Sequence, residues 1–411
     1  MAMLSIQSPE KELSYILCKN PNNGMIAKKV KKGTLFGFYE NPQKYNVVFF
    51  DGMDEISFKH NKYQEFEYLD STRYHSPSFV TTALNTFFDT AMHGIDIDHA
   101  GEYSIKIEMI KIRKNKVFTF LQYFKDFECD VEPLINNIYS LEISTKTRTL
   151  KDLFQLCYLT AFFISIQNHD EVNNELNVTK KILKFCNDLN TPYFAKYLVK
   201  MSVIKNNNDF IKVKDLLEYS ADHTFKFTSF TNWGQRFEQI RNRINIEKDI
   251  VDFGCGEGSY LKLSEKVKNY YAIDKDENAL EKVRKKIEKR EYENDYVLND
   301  IYDFLNEPHD EYNLVMTEVF EHNELDVITK IIKDILQDEK CYKIILTTPN
   351  KDFNQFYLLE DDEKRHPDHV FEMREQELID YLNQLNVTYK IKHLGDEVDN
   401  ISTSLLVEIT K

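Results

Sequence analysis

The sequence predicts an α/β chain in which a C-terminal Rossmann-like domain follows an α+β amino-terminal domain that carries a helical subdomain. Three patterns predict it. Strand and helix signatures alternate from "DIVDFGCGEGSYLKLSEKV" to the end, short β-rich runs mix with one helical stretch before residue 145, and between these two regions apolar residues recur at helical spacing.

In chain order, "GTLFGFYE", "YNVVFFDG" and "YSIKIEMIKI" read as strands and "SFVTTALNTFFDTAM" as a helix, which makes residues 1–145 an α+β module. Residues 146–220 hold "TLKDLFQLCYLTAFFISI", "NVTKKILKFCNDL" and "VKDLLEY", a set of helices. Periodicity lapses in "SADHTFKFTSFTNWG", which marks a boundary and opens a third region, 221–411. There "DIVDFGCGEGSYLKLSEKV" predicts a buried strand, a glycine-rich turn and a helix. "NYYAIDKDENALEKVRKKI" repeats strand then helix, and "YVLND", "YNLVMTEVFEH" and "YKIILTTPN" supply further strands. Such alternation implies a parallel sheet flanked by helices, with ligands at the carboxyl ends of the strands.

Composition excludes several classes. With 411 residues, 42% of them apolar, the chain can bury ordinary cores. The net charge of -15 argues against a protein that coats nucleic acid, because non-specific affinity comes from neutralising phosphates, but it leaves room for an enzyme that handles one strand end. No apolar run is long enough to span a membrane, and "MAMLSIQSPEKEL" lacks the basic start and apolar core of a signal peptide. The six cysteines form no CxxC pair, so neither a disulfide framework nor a thiolate zinc site is expected. A cytoplasmic protein is the expectation.

The turn "DFGCGEGS" carries the first chemistry. Gly254, Gly256 and Gly258 permit a sharp turn and close approach to a ligand, and amides at a following helix would face its polar groups. The spacing is GxGxG rather than the dinucleotide fingerprint GxGxxG, and Asp252 stands two residues before the first glycine. Both features favour S-adenosylmethionine over a nicotinamide cofactor. Asp274, ending the second strand, is placed to accept both ribose hydroxyls, and Asp300, ending "YVLND", to approach the adenine.

The stretch "MTEVFEHNELD" carries the second. Glu318, Glu321 and His322 follow a strand end, and in a helix their spacing of three and four puts all three on one face. Two hard oxygens and an imidazole suit magnesium or manganese. Equally, acids are favoured in any first helical turn. Downstream, "KRHPDHVFEMREQEL" offers His366 and His369 around Asp368, either as further ligands or as ordinary surface histidines.

The motifs "DFGCGEG", "TEVFEHNELD", "TTPNKDFNQ" and "RHPDHVFEMREQEL", in this order and spacing, resemble the RNA 3′-terminal ribose 2′-O-methyltransferases of the HUA-enhancer family. "LSYILCKNP", "YHSPSFVTTALNTFF" and "YSLEISTKTRTLKDLFQLCYL" are similar to the bacterial branch, so the resemblance covers nearly the whole chain. It implies that the C-terminal domain is an S-adenosylmethionine-dependent methyltransferase. It implies that Glu318, Glu321, His322 and His369 bind a divalent metal, magnesium or manganese, and act in catalysis. It also implies RNA repair beside a polynucleotide kinase-phosphatase-ligase, with the amino-terminal half binding and activating the ligase.

A metal with open positions can hold the vicinal hydroxyls of a 3′-terminal ribose and lower the pKa of the 2′-hydroxyl, which explains selectivity for a free end. On this reading the 2′-oxygen attacks the sulfonium methyl and S-adenosylhomocysteine leaves, with His322 as both ligand and proton acceptor. Arg365 and the basic helix "KVRKKIEKR" are candidates to grip RNA. Two other readings stand beside this one: a small-molecule methyltransferase, for which the metal ligands would be surplus, and a non-catalytic adaptor acting through the amino-terminal half.

Overall fold

The computed structural model describes residues 3–31, 33–50, 58–59, 68–69, 74–228, 232–290 and 294–410. The end of "YNVVFFDG", residues 51 and 52, and residues 229–231 of the boundary stretch lie outside them. The chain divides into two compact units, Met1–Leu217 and Glu218–Lys411.

In the first unit, β1 (Met3–Gln7), α1 (Leu13–Ile16), β2 (Ile26–Val30), β3 (Gly33–Asn41) and β4 (Lys44–Phe50) are followed by a short pair, β5 (Phe58–Lys59) and β6 (Tyr68–Leu69). Then come α2 (Pro77–Phe87), α3 (Asp89–His93), β7 (Tyr103–Lys111), α4 (Lys116–Gln122), β8 (Glu128–Ile135) and β9 (Ile138–Thr145). Seven strands form an antiparallel sheet in the order β2-β3-β4-β1-β7-β9-β8. β3 and β7 alternate buried and half-buried residues, the mark of a sheet with one covered face. The helices α5 (Leu150–Gln167), α6 (Leu176–Asp188), α7 (Tyr193–Val203) and α8 (Asn207–Glu218) complete it. Thr149 caps α5 by accepting from the Asp152 amide at 3.1 Å. Apolar on nearly every side, α5 is buried among α2, α3, α6 and the sheet.

The second unit holds β10 (Phe225–Lys226), α9 (Asn232–Arg241), β11 (Asp249–Phe253), β12 (Tyr270–Ile273), α10 (Glu277–Arg290), β13 (Asp295–Leu298) and α11 (Ile301–Leu305). After them come β14 (Tyr312–Thr317), α12 (Leu325–Gln337), β15 (Cys341–Pro349), α13 (Glu375–Gln384), β16 (Thr388–Val398) and β17 (Ile401–Thr410). Eight strands run in the order β10-β16-β17-β15-β14-β11-β12-β13. β13, β12, β11, β14 and β15 are parallel, while β17, β16 and β10 join antiparallel. Parallel strands covered on both faces read as continuous apolar runs, and β11 and β14 do so. Ile250, Ala272 and Val315 pack with Ile240 of α9 and with Leu280 and Val283 of α10. On the other face Val251, Leu314 and Met316 pack with residues of α11, α12 and α13. The strand order reverses between β11 and β14, and the crevice at such a switch point is where this architecture binds ligands.

Two local expectations change. The helix expected after the glycine turn is a short 3₁₀ segment, Leu261–Lys266, confined between left-handed Gly258 and extended Val267. The boundary stretch contributes β10, which pairs with β16 as the sheet's edge. Among the described residues no helix is long and apolar enough to cross a membrane.

Candidate active site

β11 delivers the glycine turn to the switch point. The amides of Gly254 and Cys255 both donate to the carbonyl of Ile273, at 2.8 and 3.0 Å, which folds the turn over the end of β12. Gly254 has φ +76°, and a Cβ there would lie 2.2 Å from Val319 of the loop after β14, so only glycine lets the two strand ends approach. Gly256, at φ +52°, faces open space, and its amide donates to Asp274 at 2.7 Å. The other Asp274 oxygen accepts from the Asp276 amide at 2.9 Å. Gly258 closes the turn through its amide to the Cys255 carbonyl, at 2.9 Å.

Asp252 is fully buried beneath this turn. One oxygen accepts from the Tyr270 hydroxyl at 2.5 Å, and Oδ1 has no partner. Burial pushes its carboxyl up to about 7, and the nearby Asp274 carboxylate adds to the rise against the Tyr270 hydrogen bond. Asp300 is exposed at the end of β13 and caps α11 through the Tyr302 amide at 2.8 Å.

The expected helical face for Glu318, Glu321 and His322 does not form. Glu318 takes a left-handed conformation, φ +54°, and Phe320–His322 make a single 3₁₀ turn before α12 begins. The cause is a break forced at Glu318, whose amide remains bonded to the Thr347 carbonyl of β15 at 3.0 Å. The residues converge nonetheless, through the loop rather than a helix. Glu321, His322 and His369 offer ligand atoms that all lie within 4.8 Å of one another. Glu318 stands outside that group: its Oε1 accepts from the Thr347 hydroxyl at 3.1 Å and from the Arg236 guanidinium of α9 at 3.1 Å.

Glu321 is completely buried. Its Oε2 accepts from the Thr348 hydroxyl at 3.1 Å, whereas Oε1 has no partner. Burial, and next the Glu318 carboxylate, push its pKa well above the usual carboxylate range. The Glu321 carbonyl accepts from the Val370 amide at 2.8 Å, which draws the histidine loop over the site. His322 Nδ1 donates to the Asp368 carbonyl at 3.1 Å, and His369 Nδ1 to Glu372 at 2.5 Å. A carbonyl and a carboxylate only accept, so each ring keeps its Nε2 lone pair free. The two ring centroids are 4.8 Å apart. A buried, unpartnered carboxylate oxygen beside two free imidazole nitrogens is a donor set that fits a divalent cation. His366 is exposed at the rim, its ring 5.8 Å from that of His369.

Sequence reasoning missed Arg236, Thr347, Thr348 and Glu372. The threonines lay within the "TTPN" motif, at the carboxyl end of β15, a position that signals the site in such a sheet. Nothing in the spacing marks Arg236, which folding brings across 82 positions from Glu318. Arg365, an expected RNA contact, is turned inward: its three nitrogens donate to Asn354, to the Thr403 carbonyl and to the Asn350 carbonyl. Two basic residues of α10 are engaged too, Lys282 with Glu257 and Arg284 with Glu277.

The Hen1 N-terminal domain family matches residues 3–222, more than half of the 411-residue chain. The chain belongs to the Hen1 family. A methyltransferase domain family matches residues 250–337, from β11 through α12, which holds the glycine turn and Glu318 to His322. Two solved structures of Hen1-containing complexes share this family member's fold over 100% of both chains. One, of a Pnkp1/Rnl/Hen1 RNA repair complex, has a TM-score of 0.78 at 24% identity, and the other, of a Pnkp1/Rnl/Hen1 complex, 0.76 at 23%. A small RNA 2′-O-methyltransferase of Caenorhabditis elegans is 33% identical over 76 residues, 18% of this chain and 17% of that protein. The chain thus matches only about one sixth of that relative's length.

Proposed function

We propose that this Hen1-family chain transfers a methyl group from S-adenosylmethionine to the 2′-hydroxyl of the 3′-terminal ribose of RNA, with a divalent ion, magnesium or manganese, at Glu321, His322, His369 and Glu318. The observation that carries the reading is the buried, unpartnered Oε1 of Glu321 at the switch point, one loop from the glycine turn. When bound, S-adenosylmethionine supplies an electrophilic methyl group. A divalent ion held by these residues would supply positive charge that favours a vicinal diol and the ionisation of a hydroxyl.

The chain's own residues do the rest. Gly256 leaves room for the cofactor, Asp274 offers carboxylate oxygens to ribose hydroxyls, and Asp252, just before the turn, ties β11 to β12 through the Tyr270 hydroxyl. Asp300 stands at the far strand end for the adenine. Thr348 and the backbone of the 368–371 loop fix Glu321 and His322 before substrate arrives, so orientation is set in advance. With Nδ1 committed to the Asp368 carbonyl, His322 has one lone pair, on Nε2; at any moment it either ligates the ion or accepts the proton of the 2′-hydroxyl. Arg236 beside Glu318 adds a positive charge at the rim.

By the same reading the chain acts in RNA repair with a kinase-phosphatase-ligase partner, engaged through the first unit. The match of that unit to the Hen1 N-terminal domain family and the shared fold with Hen1 in a repair complex support this.

The test is transfer of label from S-adenosylmethionine to RNAs that differ only at the 3′ end. A 2′,3′-diol should accept methyl and a 2′-deoxy, 3′-deoxy or 3′-phosphate end should not. Equal labelling of the 3′-phosphate RNA, or labelling of none, would overturn the proposal.

A further inference from the structure

A line of hydrogen bonds runs inward from His369. Glu372 is only 8% exposed, and its Oε1 accepts both from His369 Nδ1 at 2.5 Å and from the Arg365 amide at 2.8 Å. Its Oε2 accepts from the Asn354 side-chain amide at 2.6 Å. The amide oxygen of Asn354 accepts in turn from Arg365 Nε at 2.6 Å. Arg365 is held by the carbonyls of Thr403 and Asn350 and lies over the rings of Tyr357 and Phe353, 5.2 and 5.8 Å from their centroids. Every polar atom in this line has an assigned role, so each orientation depends on the one behind it.

We infer that Glu372, supported by Asn354 and Arg365, is a positioning residue that keeps His369 protonated on Nδ1 and so presents Nε2 to a divalent cation beside Glu321 and His322. The inference rests on the metal reading above. An imidazole ligand needs both a chosen tautomer and a fixed ring plane, and a carboxylate bonded to the other nitrogen supplies both while making the ligand more basic. Glu372 does this from three residues away on a loop whose backbone is tied at Met373, where the carbonyl accepts from the Lys351 amide at 2.9 Å, and its carboxylate is anchored by Asn354, in the 3₁₀ segment that follows β15. Arg365 then ties that segment to β17 through Thr403. The Arg365 charge thereby acts inside, as a brace.

A merely structural Glu372 would hold the loop without setting the tautomer. The experiment therefore reads two quantities on the full chain: manganese affinity, from the free-ion paramagnetic signal, and the His369 proton position, from long-range 1H–15N spectra with His369→Asn for assignment. In the wild type His369 should show the Nδ1-protonated pattern. Glu372→Ala should shift it to the Nε2-protonated form and weaken manganese binding roughly 10- to 100-fold. S-adenosylhomocysteine affinity should stay near the wild-type value. Glu372→Gln keeps an acceptor for Nδ1–H but meets Asn354 with a donor, so it should restore the tautomer and only part of the affinity. If Glu372→Ala does not fold, Asn354→Ala leaves the Glu372–His369 bond in place and should give a smaller loss of affinity with the tautomer kept. Wild-type-like manganese affinity in the first folded variant of this series, or an unchanged His369 pattern in Glu372→Ala, overturns the inference alone. A wild-type chain that binds no manganese overturns the metal reading and the inference with it.

Discussion

The Thr348 hydroxyl donates to Oε2 of Glu321 at 3.1 Å, while Oε1 of the same buried carboxylate has no partner. One donor is too little for a carboxylate out of water, and Glu318 nearby adds like charge. Without a cation the site destabilises its own unit.

Divalent ions should therefore stabilise the wild type, by about 2.7 kcal/mol at a hundred times the dissociation constant. Glu321→Gln should remove most of that gain and raise the stability of the ion-free chain. Glu318→Ala or His369→Ala should abolish methyl transfer while S-adenosylhomocysteine still binds, since the glycine turn is built on a different strand end. Calorimetric titration beside a transfer assay decides this; full transfer in excess chelator would end the metal reading.

Asp274 receives the Gly256 amide at 2.7 Å and the Asp276 amide at 2.9 Å, so it shapes the turn in addition to the ribose contact proposed for it. A hydrogen bond to a charged group contributes roughly 1.5 to 3 kcal/mol, so Asp274→Ala should lower affinity for S-adenosylmethionine at least about tenfold. An unchanged dissociation constant would mean that the ribose lies elsewhere.

How much of this was legible in advance depends on which interactions are local. The alternation that gives β11, β12, β14 and β15 is carried by runs such as "DIVDF" and "YNLVM", buried on both faces, and it placed the glycine turn and Glu318 at strand ends. The backbone at Glu318 was not legible, because spacing alone reads Glu318, Glu321 and His322 as one helical face. The left-handed turn depends on the bond to Thr347, 29 residues later. Arg365 misled for a similar reason: a charge looks like surface until Asn350, Asn354 and Thr403 are known to surround it.

Asp252 gives a pH dependence. Unfolded, it ionises near the ordinary carboxylate value; folded, burial holds its proton up to about 7. Its contribution to stability is fully present below the unfolded value and is lost as pH rises through about 7. The stability of the wild type minus that of Asp252→Asn should fall by about 2 kcal/mol between about pH 5.5 and about pH 8. Urea unfolding followed by Trp233, the single tryptophan and a residue of α9, reads the second unit directly. A difference that is flat or rises with pH would show that Asp252 is ionised in the fold.

The last prediction concerns where the second unit begins. The segment 218–228 belongs to it by contact: Phe227 donates its amide to Glu218 at 3.0 Å, Thr224 to Asp399 at 2.8 Å, and β10 pairs with β16 through Phe225 and Lys226. Phe225 is 4% exposed and Phe227 0%, and burying each phenylalanine contributes about 1.5 to 3 kcal/mol. A fragment 218–411 should fold and methylate RNA 3′ ends by itself. A fragment 232–411 loses both phenylalanines and leaves β16 as an open edge, so it should unfold at clearly lower urea and tend to aggregate. The fragment 1–217 should capture the repair ligase of the same organism and methylate nothing. Equal urea midpoints for fragments 218–411 and 232–411 would remove 218–228 from the domain, and ligase capture by 218–411 alone would move the partner site out of the first unit.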